Sequence, residues 1–251
     1  MTRSYHFIGD VHGLPDALAR LLAALAPARG DLVVLLGDLL DKGPDSVGAV
    51  RLARELATGA AHGLVLLEGN HEDLYRRYRR NLALRPDTAA AQAARHPGLA
   101  AVHDRLSAAD IDFLDAALPF LRVPAHGILA LHGGIPGDMR DFPADADAVT
   151  AMTAGRRRQF NAILRTGHIS AADGRYLMAG HERPGDPFWA DVYDGRFGHV
   201  VFGHIPFMDG PAEFPHATGL DTGAVQGGRL TALSVAPDGS RRYTSVSGRA
   251  G

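Results

Sequence analysis

At 251 residues, with 26 basic and 28 acidic side chains, the chain can bury a sizeable core, and its formal charge of −2 gives no global basic field to attract duplex nucleic acid or a membrane surface. Cysteine is absent, which excludes disulfides, thiolate metal sites and cysteine nucleophiles. No apolar run approaches the roughly 18 residues of a membrane span, and residues 1–6 lack the apolar core of a signal peptide, so a cytoplasmic location without a membrane partner is expected.

The first strand is expected over residues 5–8, ending in Gly9-Asp10-Val11-His12-Gly13. Pro15 is placed to start a helix whose apolar face is Leu14, Leu18, Leu21, Leu22 and Leu25, and this helix should stop between Pro27 and Gly30. The apolar run Asp31-Leu32-Val33-Val34-Leu35-Leu36 has the length and branching of a buried strand and delivers Gly37-Asp38-Leu39-Leu40-Asp41-Lys42-Gly43. Pro44-Asp45-Ser46 opens a second helix to about Leu56, and a third strand over residues 63–67 ends in Glu68-Gly69-Asn70-His71-Glu72. This β-α-β-α-β order, with polar residues just beyond each strand, predicts an α/β sandwich with a site along a sheet edge.

From residue 73 to about 124 the pattern becomes helical. Tyr75-Arg76-Arg77-Tyr78-Arg79-Arg80 gives a basic helix surface, Pro97-Gly98 breaks an alanine-rich stretch, and Ser107 with Asp110 has capping-box spacing. A fourth strand over residues 127–131 delivers His132-Gly133-Gly134, and a second, irregular insert runs from about 138 to 198. A fifth strand over residues 199–202 ends in Gly203-His204. Residues 220–246 then form an antiparallel meander turning at Pro237-Asp238-Gly239, with residues 248–251 expected to fray. The whole, residues 1–251, is expected to be one domain carrying the two inserts, 73–124 and 138–198.

Thirteen histidines is a high count, and the strand ends account for several of them. One Gly-Asp after an apolar run is an ordinary turn, and one histidine on a strand is ordinarily a satisfied core residue. Here strand ends carry Asp10 with His12, Asp38, Asn70 with His71, His132 and His204, each next to a glycine that permits sharp turning and close approach of a ligand. Carboxylate, amide oxygen and imidazole suit borderline divalent cations, and the set is too large for one catalytic ion that must also hold water but right for two.

These motifs, in this order from residue 9 to 204, resemble the phosphoprotein-phosphatase-type, calcineurin-like metallophosphoesterases, and the segment 220–233 resembles their bacterial branch. The resemblance implies a four-layer αββα sandwich with two mainly helical or irregular inserts beside the site. It implies two divalent ions, manganese first, with iron, zinc, nickel or cobalt as alternatives. Asp10 and His12 would hold the first ion, Asp38 would bridge, and Asn70, His132 and His204 would complete the second. A water between the ions would attack phosphorus, with His71 as general acid oriented by Asp41. Lys42, which stands where the family has arginine, and Asn70 would hold substrate phosphate, supplemented by Arg183 and Arg196.

The expected partner is a phosphorylated substrate: a phosphoprotein, nucleotide or dinucleoside polyphosphate. The Asp41-Lys42 pair and Asn70-His71-Glu72 stand closer to the serine/threonine protein phosphatases, which places phosphomonoester hydrolysis first. Symmetric bis(5'-nucleosyl)-tetraphosphatase and nucleic-acid end 2',3'-phosphatase activities follow, the segment 188–195 with the only tryptophan, Trp189, being similar to those members. A non-catalytic phosphate- or metal-binding module stands as the alternative of another class. Sequence leaves the oligomeric state open.

Overall fold

A computed structural model describes residues 3–249. Two sheets face each other. The first contains β1 (Tyr5–Ile8), β2 (Leu32–Leu35), β3 (Gly63–Leu66), β10 (Arg229–Val235) and β11 (Arg241–Ser247) in the order β11-β10-β1-β2-β3, and β9 (Asp221–Thr222) pairs with β10. The second contains β4 (Leu121–Val123), β5 (Ile128–Ala130), β6 (His199–Phe202), β7 (Ala212–Phe214) and β8 (Ala217–Gly219) in the order β4-β5-β6-β8-β7. Strands β1, β2 and β3 are parallel, as are β5, β6 and β8, so in each sheet the expected site loops leave from one end.

Side-chain alternation builds the layers, because successive residues of a strand point to opposite faces. Phe7, Val34, Ala130, Val201 and Leu233 fill the space between the sheets. Their neighbours Ile8, Val33, Leu35 and Ala232 turn outward onto helices α1 (Pro15–Leu25) and α2 (Ser46–Gly59). Leu129, Val200 and Phe202 turn outward from the second sheet onto Phe160, Ile163 and Trp189 of the second insert. The result is helices, sheet, sheet and insert, the αββα arrangement. The central strands are buried on both faces, which is why strands such as Leu32–Leu35 are continuously apolar, while the edge strand β11 is largely exposed.

The first insert comprises α3 (Asn70–Leu84), α4 (Pro86–Arg95), α5 (Gly98–His103) and α6 (Ala108–Asp115), and Ser107 caps α6 through the expected box with Asp110. The expected helical span is corrected at its end, because residues 121–123 form edge strand β4, antiparallel to β5. The second insert holds α7 (Ala146–Thr150), α8 (Ala154–Phe160), a 3₁₀ turn (Asn161–Leu164) and α9 (Trp189–Val192). Helix α2 continues to Gly59, past the expected end near Leu56; Asp45 caps its start by accepting from Gly48 N–H at 3.0 Å. Strands β7 and β8 were not expected. The C-terminal meander is present, and Gly248, expected to fray, donates its N–H to Gly228 O at 2.9 Å; residues 1–2 and 250–251 lie outside the described residues. Among the described residues, no helix is long and apolar enough to cross a membrane.

Candidate metal centre

The loops after β1, β2, β3, β5 and β6 converge at the seam between the two sheets. Their tightness is visible in the backbone. Among the described residues, six non-glycine residues have positive φ, and all but Ala26 lie in these loops: His12, Asp38, Asp41, Lys42 and His204, at 45°, 49°, 72°, 64° and 70°. Such conformations cost about 1–3 kcal/mol each and persist only where the surroundings enforce them. Glu72 supplies part of that enforcement. Its carboxylate, 2% exposed, accepts from Asp38 N–H at 2.7 Å, Leu39 N–H at 2.9 Å and Gly69 N–H at 2.9 Å, folding the Asp38 turn onto the start of α3. Gly69 permits the contact, since a Cβ there would stand 2.2 Å from Asp38 Oδ1.

Asp38 is the hub. Its Oδ2 lies 3.5 Å from His12 Nε2 and 3.7 Å from His71 Nε2, and its Oδ1 lies 3.3 Å from His132 Nε2. Asp38 belongs to two groups whose potential ligand atoms lie within 4.8 Å of one another: His12, Asp38 and His71; and Asp38, His132 and His204. Asn70 Oδ1 is 2.9 Å from His132 Nε2, and Asp10 Oδ2 is 3.6 Å from His12 Nε2. Asp10 Oδ1 accepts from His204 N–H at 3.0 Å, while its Oδ2 is buried without any hydrogen-bond partner.

These features fit divalent cations. The orphaned Asp10 Oδ2 is a buried carboxyl oxygen 3.6 Å from His12 Nε2 with no hydrogen-bond partner, a polar atom that an unfilled core would not tolerate. His12 Nδ1 lies 3.2 Å from Leu40 O and His132 Nδ1 2.9 Å from Leu36 O; with the proton on Nδ1, each donates there and turns its Nε2 lone pair inward. Burial lowers the His12 imidazole to about 4 and His204 to about 3, leaving both neutral at physiological pH, as ligation requires. His132 behaves oppositely: burial opposes its charge, yet Asp38, Asp10 and Glu72 raise it to about 9. Burial, with Asp221 next, raises the Asp10 carboxyl.

His71 Nδ1 lies 2.7 Å from Asp41 Oδ2. That hydrogen bond lowers the Asp41 carboxyl to about 2 despite partial burial, so Asp41 stays ionised. Lys42 Nζ reaches His12 Nε2 at 2.9 Å and so belongs to the cluster. Asp10, His12, Asp38, Asp41, Lys42, Asn70, His71, His132 and His204 are therefore all gathered. Arg183 and Arg196 are not. Arg196 precedes β6, opposite the strand end that carries His204, and pairs with Asp194 at 3.1 Å. Arg183 is exposed and makes no contact with the cluster among the described residues; its N–H donates to Asp186 at 2.8 Å.

Two contributors escaped the sequence reasoning. Glu72 closes the Asn70-His71-Glu72 motif, and its signal is position N3 of a helix starting after Gly69. Asp221, 6% exposed, enters from the C-terminal meander, and its only signal was an acidic residue next to Leu220 in the segment 220–233. The arginines of α3 are largely committed: Arg76 to Glu68 at 2.5 Å, Arg77 to Asp73 at 3.2 Å and Arg79 to Asp115 at 2.8 Å.

A family model for calcineurin-like phosphoesterase matches residues 4–208. The chain is 24% identical over 253 residues to the asymmetrical bis(5'-nucleosyl)-tetraphosphatase PrpE of Oceanobacillus iheyensis, covering 96% of this chain and 91% of the relative. It is 31% identical over 279 residues to a symmetrical bis(5'-nucleosyl)-tetraphosphatase of a Shewanella species, covering 94% and 96%. Serine/threonine-protein phosphatase 1 of Salmonella typhimurium is 28% identical over 239 residues, covering 91% and 90%. Relatives of comparable similarity thus carry different substrate names.

Proposed function

The chain belongs to the calcineurin-like phosphoesterase family and is a metal-dependent phosphoric ester hydrolase, and from that premise we propose that it cleaves phosphomonoesters with His71 as the general acid. Asp10, His12, Asp38, Asn70, His132 and His204 would hold two divalent ions, with Asp38 shared between them. When bound, such ions supply Lewis-acid charge to the phosphoryl oxygens and acidify a water. The residues do the rest. Lys42 brings an ammonium beside His12, where it balances anionic phosphate, and Asn70 presents its amide at the same rim.

The observation that carries the reading is the 2.7 Å contact between Asp41 Oδ2 and His71 Nδ1. An ionised carboxylate there holds the proton on Nδ1 and fixes the ring with Nε2 facing Asp38. Once protonated on Nε2, His71 can donate to the departing ester oxygen, and Asp41 stabilises the cationic ring that carries that proton. A leaving group of high basicity needs this donation most.

The test compares p-nitrophenyl phosphate with a phosphoserine peptide, with manganese supplied, for the wild type and His71→Asn. The variant should lose about 10²–10⁴-fold in kcat on the peptide and much less on the activated aryl ester. Equal losses on both esters would remove His71 from the acid role. A wild type inert on every phosphate ester, whichever divalent ion is supplied, would instead favour the non-catalytic binding module. The similarity to two tetraphosphatases supports a second reading, cleavage of a dinucleoside tetraphosphate at the same centre, with symmetric products distinguished from asymmetric ones by chromatography.

A further inference from the structure

Helix α8 presents two faces with different partners. On one, Arg157 donates to Asn161 Oδ1 at 2.9 Å and reaches Glu68 Oε2 at 3.3 Å, tying the second insert to the loop that starts α3. On the other, Arg156, Gln159 and Phe160, at positions i, i+3 and i+4, line a cleft of about 620 Å³. The facing wall is residues 136–141, which continue directly from His132-Gly133-Gly134; Pro136 is only four residues beyond His132, a span of at most about 14 Å. Asp138 donates its N–H to Gly174 O at 3.3 Å, which brings Arg175 and Tyr176 in as the third wall.

The cleft combines an apolar floor with charge of both signs, the guanidiniums of Arg140, Arg156 and Arg175 against the carboxylates of Asp138 and Asp141. Met139, Met152 and Phe160 supply the floor. The insert's arginines that face α3 have close carboxylates, Arg157 with Glu68 and Arg165 with Asp73 at 2.5 Å. Arg140 and Arg156, on the cleft, have no carboxylate partner among the described residues, whereas Arg175, its side chain 75% exposed, lies 3.5 Å from Asp173 and 3.9 Å from Asp138. The volume falls within the usual range for small-molecule sites, and such sites pair apolar walls with a few convergent polar groups.

We propose that this cleft is the subsite for a nucleoside 5'-phosphate portion of the substrate. A base has the flat, weakly polar faces that Met139, Met152 and Phe160 match, and Gln159 offers an amide to its edge. Its phosphates meet the guanidiniums of Arg140 and Arg156, whose planar forks suit phosphate. Whichever ester bond is cut, the portion of substrate beyond the reacting phosphorus needs a binding surface, and this cleft adjoins the His132 loop. The inference rests on the hydrolase reading above and deepens it by naming the substrate class as a nucleotide, either one half of a dinucleoside polyphosphate or a nucleotide bearing a terminal phosphomonoester.

Titration calorimetry on the metal-free protein tests it, with ADP, inorganic phosphate and a glutamate-rich peptide as titrants. ADP should bind at least tenfold more tightly than phosphate. The double variant Arg140→Gln, Arg156→Gln should weaken ADP at least tenfold. Circular dichroism checks its folding, and Arg140→Gln alone, at an exposed and partnerless position, supplies an intermediate loss if the double variant misfolds. ADP no tighter than phosphate, ADP binding indifferent to either variant, or the acidic peptide binding where ADP does not would each overturn the subsite. Failure of the wild type to hydrolyse any phosphate ester would overturn the function above while leaving this binding result to stand on its own.

Discussion

Asp41 and Lys42 occupy adjacent left-handed positions, and their side chains diverge, one to His71 and the other to His12. Asp41→Asn keeps the size of the side chain but removes the charge that fixes the His71 tautomer. It should lower kcat on a phosphoserine peptide about tenfold or more while leaving bound metal unchanged by elemental analysis. Lys42→Arg replaces a point charge by a planar fork that can hold two phosphate oxygens. It is expected to retain or raise turnover; a collapse in kcat would mean that the space beside His12 is built for an ammonium. His199 offers a pH test away from the cluster. Burial, with Arg241 beside it, lowers its imidazole to about 4, and its Nε2 lies 2.8 Å from Thr218 Oγ1. Above about pH 6.5 the ring is neutral whether the chain is folded or not. Below that value the unfolded chain takes up a proton that the folded one refuses, so stability falls from pH 6.5 towards 4 and levels off beyond. His199→Gln should flatten that limb in urea titrations at several pH values.

At the scale of elements, two carboxylates clasp the inserts together. Glu68, 1% exposed, is shared by Arg76 of α3 and Arg157 of α8, and Asp73 is shared by Arg77 and Arg165. Burial raises the Glu68 carboxyl and the arginines pull it back, so this is a desolvated charge held by its partners. Glu68→Ala would remove the shared partner of two partly exposed guanidiniums, Arg76 keeping Asp115 at 3.8 Å and Arg157 keeping Asn161 at 2.9 Å, and should cost about 1.5–3 kcal/mol in urea midpoint measurements. Because Asn70 and His71 begin the helix that this clasp holds, kcat should fall with it. The strands that feed the centre were legible because apolar runs and glycine-bounded polar ends coincide there. Strands β4, β7 and β8 were not, since three residues cannot display an alternation. Arg196 was misplaced although chain order held the answer: it precedes β6 and so lies at the strand's N-terminal end, opposite His204. The arginine-rich stretch of α3 could be read as basic, but its carboxylate partners arrive from Glu68 and Asp115, which only the fold brings near.

For the whole molecule, the centre lies where two sheets meet, so its ligands report on the packing of one sheet against the other. Ligands drawn from both sheets mean that a bound cation stabilises the folded chain alone. Chelation should abolish hydrolysis and lower Tm reversibly, with manganese restoring both. Because His132 sits near 9 without an ion, metal uptake near neutral pH should release a proton, visible as a calorimetric heat that varies with buffer ionisation enthalpy. Strand β10 carries a consequence for biosynthesis. It lies between β1 and β11, and its Thr231 O receives the N–H of Gly9, the residue before Asp10. In chain order β1 comes well before β10, so the backbone of β1 stays open on one side until β10 has been made. Pairing with β10 completes the backbone that carries Asp10, so the first half of the chain cannot fix that residue by itself.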